Sequence, residues 1–512
     1  MAKYNHWFIS RQKRQLTQIL PALVCFNDIC EGKVWRGNTE LQLQYEDELA
    51  KRSITKHGKL RARKTKEGGG GIRTLYTQMK DLGLVFAEDD NRKVHLTLMG
   101  EDLVKANVTF VEAIRAQLTR FQYPSATRWS GSGSIEHEFK IHPFVFMFRL
   151  LRDKRLEGYI TMDEMKLIII HEAKKDTDKC FESVVNSIIR FRETGKNDNG
   201  ISDTKKGRYN DIANTFFNYI ELTQYVDRGF KRIIVRPGKE EEIDNIINSP
   251  HKFIKHPEIQ ENYQRAYGTG INSTKDLRTF EGDKSLTKKE TEEARIKSEY
   301  ALIRLTMPIT GIDEEVVSLI SDRTGIDDRT VEAFLTTAFP TGSVDDFFLT
   351  YREYAYGGRK FANEFELATV QLFRKIFKMN ASHVGPIGNT PDVFVESDEE
   401  QYSGIIDNKA YENGYSIIGD HRRRMTNEYI PNVTSYAGAK YPLAFFSYIS
   451  TDFTKNINDQ LKVITDETGI PGSAMPIDIM IDFAQDYSEK GYTHQDIKRI
   501  FSVNRRVGLS DI

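Results

Sequence analysis

Two aspartates and a lysine in the C-terminal third have the types and spacing of a metal-dependent hydrolytic site. Asp392 follows a proline in TPDVFVESDEE, and Asp407 and Lys409 end the string YSGIIDNK. Carboxylate oxygens are hard ligands that suit Mg²⁺. A bound cation stabilises charge on a phosphate and lowers the pKa of a bound water, which the lysine helps to place and deprotonate. The pattern P-D…D-x-K therefore indicates metal-assisted hydrolysis of a phosphodiester.

The surrounding sequence predicts the elements that would bring these side chains together. One predicted strand starts at Asp392 and a second ends at Lys409, with the acidic turn ESDEE between them. Because side chains two positions apart on a strand share a face, Asp407 and Lys409 should project from the same side. The aromatic run PLAFFSYIS (442–450) predicts a buried strand after them.

An amphipathic helix is predicted ahead of these strands, over FANEFELATVQLFRKIFK (361–378). It carries one acidic candidate for the site, Glu366, and its apolar face holds Phe365, Leu372 and Ile376. A surface hairpin with charged turns would show the same short P-D…D-x-K pattern. The apolar run before Asp407, the helix and the aromatic strand favour a buried site over that alternative.

The composition indicates a globular protein with two electrostatically different halves. The chain has 512 residues, of which 29% are charged and 39% are hydrophobic, and its length suggests roughly three domains. Residues 1–250 hold 42 Lys+Arg and 34 Asp+Glu, a balance of +8, whereas residues 251–512 hold 31 and 40, a balance of −9. The formal charge of −1 therefore conceals a basic half and an acidic half.

Other classes of protein are disfavoured by simple features of the sequence. Three cysteines without CxxC spacing suit neither a disulfide framework nor a structural zinc site. No run approaches the length of about 18 apolar residues that a membrane span requires. The N-terminal MAKYNHWFISRQKRQ lacks the apolar core of a signal peptide, so we expect a cytoplasmic location and no membrane partner.

A winged variant of the helix-turn-helix is predicted near residues 71–104. Residues 72–82 have helical spacing and end at Gly83, and LVF, the turn EDDNRK and VHLTL then predict a hairpin. The helix would be the element presented to a DNA groove. A second, less distinct unit with helices followed by the strand KRIIVRP is predicted over residues 136–250.

A run of eight Lys/Arg without an acid, at residues 51–66, precedes the winged pattern. A solvated surface is the alternative, but adjacency to the winged pattern favours contacts with DNA phosphates. The phosphate-binding candidates are Lys51, Arg52, Lys59, Arg61, Arg63 and Lys64. The base-reading candidates are Arg73, Thr77, Gln78 and Lys80, with Arg190, Arg192 and Arg208 as further positions.

Several separate motifs resemble two families of type IIS restriction enzymes. The string DNKAYENGY, with GIID before it and IIGD after it, is similar to the FokI-type cleavage domain, and the similarity spans roughly residues 355–512. The N-terminal half resembles the AlwI-type family and related nicking endonucleases in three places. These are VWRG at 34–37, FQYPS at 121–125 followed by HPFVFMFRLL, and SIIRFR at 187–192.

The resemblance implies roles for the site residues. Asp392 and Asp407 would be metal ligands together with the main-chain carbonyl of Asn408, and Lys409 would be the catalytic lysine. Glu366 matches the acid of the family's helix, although the loop that follows it differs by about one residue. The cofactor would be Mg²⁺. The cleavage domain would dimerise transiently through helices near residues 415–430, or pair with a second nuclease subunit.

These inferences predict a multidomain α+β or α/β protein with winged-helix DNA-recognition subdomains, a helical linker and a PD-(D/E)xK nuclease core. The expected boundaries are 1–135, 136–250, 251–343 for the linker and 344–512 for the cleavage domain. The expected function is a type IIS restriction endonuclease that binds a short asymmetric site in double-stranded DNA and cuts at a fixed distance outside it. A nicking endonuclease, or a winged-helix regulator with an inactive nuclease domain, are the alternatives.

Overall fold

The chain divides into two compact units, residues 1–301 and residues 302–512. The computed structural model describes residues 5–11, 15–54, 70–129, 139–197, 199–201, 206–229, 231–280, 286–385, 388–411 and 414–512. Both units combine helices with β-sheet, so the expected mixed α+β class is confirmed.

The first unit is mainly helical. Its helices are α1 (Ile19–Cys30), α2 (Thr39–Lys51), α3 (Gly70–Asp81), α4 (Leu98–Val104), α5 (Phe110–Arg120), α6 (Ala126–Trp129), α7 (Pro143–Arg152), α8 (Met162–Glu164), α9 (Ile170–Glu172), α10 (Asp178–Thr194), α11 (Lys206–Glu221), α12 (Glu240–Asn248), α13 (Gln260–Tyr267) and α14 (Lys288–Ile303). A π-helical turn, Met165–Ile169, joins α8 to α9. The boundary between the units falls within α14.

Two small antiparallel sheets complete the first unit. Strands β1 (Val85–Ala87) and β2 (Val94–Leu96) form a hairpin directly after α3. A three-stranded sheet has the order β3-β5-β4, where β3 is Tyr159–Thr161, β4 is Val226–Gly229 and β5 is Arg232–Val235. The predicted helix over 72–82, its hairpin and the strand in KRIIVRP are therefore all present.

Burial of an apolar face explains why α3 forms and where it ends. Leu75, Met79 and Leu82 are buried at helical spacing. Gly83 then takes a positive φ of 66°, and a side chain there would clash with Gln117 and Tyr267. Only glycine meets both requirements, so the helix stops where the sequence predicted.

The segment predicted to begin a linker packs into the first unit. Tyr263 and Tyr267 of α13 are fully buried, and the Tyr267 hydroxyl donates to the backbone oxygens of Asp81 and Gln117 at 3.0 and 3.1 Å. The backbone N–H of Ile254 donates to Gln122. The linker prediction is therefore wrong for residues 251–280, because a few aromatic anchors among polar residues suffice to bury this segment. The SGSGS stretch at 130–134, near the expected boundary at 135, lies outside the described residues.

The second unit contains nine α-helices among its described residues besides the end of α14. They are α15 (Glu314–Thr324), α16 (Asp328–Ala338), α17 (Asp345–Tyr356), α18 (Ala362–Lys375), α19 (Gly419–Arg424), α20 (Val433–Ala437), α21 (Ile457–Thr468), α22 (Ile477–Glu489) and α23 (His494–Phe501). A π-helical turn, Met425–Tyr429, extends α19. Helices α15 and α16 occupy the second part of the predicted linker, and the Pro-Gly stretch 339–343 separates α16 from α17.

A six-stranded mixed sheet forms the centre of the second unit. Its order is β11-β10-β9-β8-β7-β6, and the strands are β6 (Asn380–His383), β7 (Val393–Ser397), β8 (Tyr402–Lys409), β9 (Leu443–Ser450), β10 (Gly472–Pro476) and β11 (Arg505–Arg506). Strands β6, β7 and β8 are antiparallel, and β8 to β11 are parallel. The strands predicted around Asp392, up to Lys409 and over 442–450 are confirmed.

Both faces of this sheet are covered by apolar side chains. One cluster joins Phe365 and Leu372 of α18 to Ile406 of β8. The other contains Ile405 of β8 and Leu461 of α21. Because neighbouring residues of a strand face opposite sides, β8 is buried from both directions and its C-terminal end is held rigidly.

Candidate active site

Strand pairing places the two predicted carboxylates at the same end of the sheet. Asp392 immediately precedes β7, and its backbone N–H donates to the carbonyl of Ile406 at 3.1 Å. Asp407 is the next residue of β8, and Lys409 ends that strand. The hairpin register Val393↔Ile406 therefore brings Asp392 next to Asp407, as the sequence predicted.

The Asp392 carboxylate is buried beside other acids. Its Oδ2 accepts a hydrogen bond of 2.6 Å from the backbone N–H of Asn408. Burial raises the pKa of Asp392 well above its usual value, and the charges of Asp407 and Glu366 raise it further, against the opposing effect of Lys409. A carboxylate in this setting is stabilised by any added positive charge.

Asp407 and Lys409 form a buried ion pair. Their side chains project from the same side of β8, and the Lys409 Nζ lies 2.6 Å from the Asp407 Oδ2. Burial alone would lower the pKa of Lys409, but the charges of Asp407 and Asp392 outweigh this and raise it. Lys409 is therefore an ammonium that can donate hydrogen bonds within the site.

Asn408 faces the opposite side of the sheet. Its Nδ2 donates to the Thr369 Oγ1 of α18 at 2.7 Å, and that hydroxyl is also hydrogen-bonded to the Tyr351 hydroxyl at 2.9 Å. The Asn408 Oδ1 is buried without a hydrogen-bond partner among the described groups. This anchoring fixes the backbone between Asp407 and Lys409.

Glu366 lies near the site but has a different partner. Its Oε2 is hydrogen-bonded to the Nε2 of His383 on β6 at 2.6 Å. A side chain at Gly385 would lie 3.2 Å from that oxygen and 3.5 Å from the Asp392 Cα, so a glycine here leaves room for the pair. The structure thus places Glu366 within electrostatic reach of Asp392 and bonds it to His383, and its direct part in the site stays a prediction.

Sequence patterns did not single out a group of aromatic side chains around Asp407. Asp407 is among the charges that raise the pKa values of Tyr415, Tyr429 and Tyr448. The Tyr415 hydroxyl is hydrogen-bonded to the His421 Nδ1 at 2.7 Å. The register of β8 against β9 brings Tyr448 beside Asp407, and a single sequence does not reveal that register.

Two of the phosphate-binding candidates fall on described residues. Lys51, at the end of α2, is exposed and lies 3.4 Å from Glu48. Arg52 is paired with both Asp28 and Glu48, at 2.8 and 2.9 Å. Four other candidates lie outside the described residues: Lys59, Arg61, Arg63 and Lys64.

The base-reading candidates on α3 divide into exposed and inward-facing residues. Arg73 is exposed, and the Thr77 hydroxyl donates to its backbone oxygen at 2.9 Å. The structure contradicts base reading by Gln78, because this side chain is fully buried and its Nε2 donates to the Tyr219 hydroxyl at 2.9 Å.

Lys80 also differs from the expectation of an exposed base reader. Its Nζ donates to the Gln260 Oε1 of α13 at 2.6 Å, and burial lowers the pKa of Lys80 to about 8. The lysine fastens α13 to α3 within the first unit. The base-reading prediction for Lys80 is therefore wrong.

The three further base-reading candidates, Arg190, Arg192 and Arg208, differ in their surroundings. Arg192 is a structural residue, since it bonds to Glu164 at 2.7 Å, donates to the backbone oxygens of Leu156 and Tyr159, and covers the Tyr159 ring. The base-reading prediction for Arg192 is thus wrong. Arg190 is exposed on α10. The side chain of Arg208, on α11, lies outside the described part of the chain.

Membrane-spanning helices and clusters of metal-binding side chains are both absent from the described residues. None of the helices there is both long and apolar enough to cross a bilayer. No group of three or more His, Cys, Asp and Glu side chains in this part of the chain is arranged to hold a metal ion. The predicted metal site differs from such a group, because it combines two carboxylates with a main-chain carbonyl.

Comparisons with known proteins bear on both units. Residues 325–508 match the family model described as FokI, cleavage domain, and residues 80–296 match that of the AlwI restriction endonuclease. Type II restriction enzyme StsI of Streptococcus sanguinis is 23% identical over 146 residues, which are 27% of this chain and 24% of StsI. The chain thus aligns with about a quarter of that relative. Both resemblances seen in the sequence are confirmed.

Two solved structures also show similarity. Restriction endonuclease FokI aligns over 99% of this chain and 100% of its own, with 11% identity and a TM-score of 0.30. The BpuJ1 endonuclease binding domain in complex with pyrene- and phenanthrene-modified DNA aligns over 52% and 97%, with 16% identity and a TM-score of 0.37.

Proposed function

We propose that this chain is a type IIS restriction endonuclease that cuts double-stranded DNA outside its recognition site. The observation that carries the proposal is the meeting of Asp392, Asp407 and Lys409 at one end of a buried sheet. The matches to the FokI cleavage domain and the AlwI endonuclease support it, because the first includes Asp392, Asp407 and Lys409 and the second covers residues 80–296 of the basic part of the chain.

The donor set suits Mg²⁺. Asp392 and Asp407 offer hard carboxylate oxygens. The two buried carboxylates repel each other electrostatically, and a bound cation would relieve that repulsion. The carbonyl of Asn408 is the proposed third ligand. When bound, the ion supplies charge stabilisation on the phosphate and a more acidic water.

The remaining chemistry belongs to the side chains. Asp392 and Asp407 orient the reacting groups, and the Lys409 ammonium donates a hydrogen bond to the scissile phosphate or to the attacking water. The charges of Asp407 and Asp392 raise the pKa of Lys409, so it acts as a hydrogen-bond donor, and it would have to lose a proton before it could accept one from water. Burial of the site on both faces of β8 limits access of bulk water.

Recognition is proposed to lie in the first unit, through a winged-helix element formed by α3 and the β1–β2 hairpin. Lys51, Lys59, Arg61, Arg63 and Lys64 remain the proposed phosphate contacts, and Arg52 would have to exchange its acidic partners for DNA. Arg73, Thr77 and Arg190 remain proposed base readers, together with Arg208.

Cutting both strands is proposed to require a second cleavage domain. An exposed surface of the second unit includes Ile418, just before α19, and Val463 of α21. Nearby, Arg422 and Glu467 lie 3.5 Å apart, which offers charges for exchange with another copy. A chain that pairs poorly through this surface would nick one strand instead, which is the second candidate function.

Incubating supercoiled plasmid with the protein and Mg²⁺ tests the proposal. Linear product supports double-strand cutting, and open circles alone at every protein concentration support nicking or the need for a second nuclease subunit. Failure to cut any plasmid that contains bound sites would contradict nuclease activity and favour a DNA-binding regulator.

A lysine substitution tests the catalytic assignment. Lys409→Ala should lower the cleavage rate by at least about 100-fold, because the site loses an ammonium donor, while site binding in a gel-shift assay is kept. Lys490→Ala is the matched control, since it removes another lysine paired with an aspartate, Asp486 at 2.8 Å. Equal cleavage by both variants would refute the assignment.

A further inference from the structure

A tyrosine on the strand beside Asp407 has a buried hydroxyl with no hydrogen-bond partner among the described groups. Tyr448 is 0% exposed on β9, and its hydroxyl makes no hydrogen bond to them. A buried hydroxyl without a partner costs free energy, so its presence calls for a physical explanation.

The sheet register puts the Tyr448 side chain on the same face of the sheet as those of Asp407 and Lys409. Asp407 of β8 is directly opposite Tyr448 of β9 in the parallel pairing. Aligned residues on neighbouring strands project from the same face, about 5 Å apart along the hydrogen-bonding direction. Tyr448 therefore stands beside the carboxylate that Lys409 now neutralises at 2.6 Å.

The other tyrosines around Asp407 are already bonded. Tyr415 is paired with His421 at 2.7 Å, and its ring packs against that of Tyr448 with centroids 5.5 Å apart. The Tyr429 hydroxyl is paired with Arg424. Within the described part of this cluster, Tyr448 is the hydroxyl left to donate to the site.

We propose that Tyr448 is a positioning residue whose hydroxyl donates to the Asp407 carboxylate, directly or through one water, once a divalent cation occupies the site. This inference rests on the proposed function. A cation that takes up an Asp407 oxygen competes with Lys409 for that carboxylate, which then needs another donor to keep its orientation. A phenolic hydroxyl is protonated at neutral pH and can therefore donate.

Partners that orient metal-binding side chains commonly affect affinity for the metal by about 10–100-fold. Tyr448→Phe in the full chain should therefore weaken Mn²⁺ binding by at least about 10-fold, measured by calorimetric titration and by the Mn²⁺ dependence of the melting temperature. At limiting Mg²⁺ its kcat should fall while KM for DNA is kept, and high Mg²⁺ should restore kcat. Without metal, its melting temperature should equal or exceed that of the wild type, because the lost hydroxyl had no partner.

Tyr402→Phe is the control for loss of a buried tyrosine hydroxyl. Tyr402 lies on β8, and its hydroxyl donates to the backbone oxygen of His494 at 2.7 Å. This variant should melt at a lower temperature than the wild type and keep its affinity for Mn²⁺. We thus expect Tyr448→Phe to lose affinity for Mn²⁺ without losing stability, and Tyr402→Phe to lose stability without losing affinity for Mn²⁺. A purely structural role of Tyr448 would not produce this opposite pattern.

Wild-type Mn²⁺ affinity in Tyr448→Phe would overturn the inference and leave the proposed function standing. Asp407→Asn separates the two ideas, because it should abolish both Mn²⁺ binding and cleavage. If the wild type binds no Mn²⁺, or if Asp407→Asn still cleaves DNA, the proposed function itself fails, and the role of Tyr448 fails with it.

Discussion

His95 of the first unit is held between two carboxylates, which makes its charge sensitive to pH. Its Nδ1 lies 2.6 Å from Glu31 and its Nε2 lies 2.8 Å from Glu88, while its ring stacks on Phe280 with centroids 3.9 Å apart. Burial would lower the pKa of His95, but the hydrogen bonds to the two glutamates outweigh it and raise the pKa above the ordinary 6.5. The protonated ring therefore ties α1, the hairpin and the segment around Phe280 together.

We expect the stability of the first unit to fall as pH rises above about 6.5, because the folded form then loses a proton that it held more tightly than the unfolded chain. Below that pH this contribution is complete. His95→Gln should lower the melting temperature more at pH 6 than at pH 9 and should flatten its decline between these values. Thermal unfolding followed by circular dichroism measures both effects.

His256→Gln provides the matched control, because His256 is exposed and also faces a glutamate, Glu258 at 2.9 Å. Exposed pairs contribute little to stability, so this variant should follow the wild type at every pH. If His95→Gln shows the same pH dependence as the wild type, the charge of His95 does not stabilise the fold.

Residue types and strand patterns predicted the cluster of two carboxylates and a lysine, but not the orientation of the surface candidates. Asp392, Asp407 and Lys409 were predictable because strand alternation and a hairpin decide their faces. Gln78 and Arg192 were misassigned because long polar side chains can be buried when a distant partner, such as Tyr219 or Glu164, satisfies them. Tyr219 lies 141 positions from Gln78 and Glu164 lies 28 positions from Arg192, so patterns of neighbouring residues do not reveal these pairs.

At the scale of elements, apolar periodicity predicted most of the core of the second unit. Helix α18 and strands β7, β8 and β9 were foreseen because their apolar residues repeat with clear periods. The π-helical turn Met425–Tyr429 was not, since its extra residue per turn leaves no distinct signal in apolar spacing. That turn carries Tyr429, whose side chain reaches the surroundings of Asp407.

Strand β8 depends on a glycine three residues before Asp407. A side chain at Gly404 would clash with the ring of Phe445, which is fully buried on β9. We expect Gly404→Ala to destabilise the second unit by about 1–3 kcal/mol, because a packed core must shift to accept the methyl group. Chemical denaturation of the full chain, followed through the transition of this unit, measures the change.

Gly419→Ala is the control for this substitution. A side chain at Gly419, the first residue of α19, meets no atom within 4 Å, and alanine favours helix over glycine. Its stability should equal or exceed that of the wild type. Equal destabilisation by the two variants would show that close packing of β8 on β9 is not the cause.

On the scale of the whole molecule, the boundary between units sharpens the division of charge. Residues 1–301 hold 52 Lys+Arg and 43 Asp+Glu, a balance of +9, and residues 302–512 hold 21 and 31, a balance of −10. The division into a basic and an acidic part was visible in the sequence. The position of the boundary was not visible in the sequence, because the polar segment after residue 250 packs into the first unit through the buried tyrosines of α13.

If the basic run before α3 binds DNA phosphates, three neutral substitutions there should change the salt dependence of binding. Each phosphate contact releases counterions and contributes about 0.9 to the slope of log K against log salt, so Arg61→Gln, Arg63→Gln and Lys64→Gln together should flatten it by about three. A control with Lys288→Gln, Lys289→Gln and Lys490→Gln changes the net charge equally, at lysines that pair with glutamates or an aspartate of their own helices. Fluorescence anisotropy of labelled DNA over a salt series measures the slope for each triple variant. Equal slopes for both triple variants would mean that the basic run makes no phosphate contacts, and delivery of the acidic second unit to DNA would then depend on other residues.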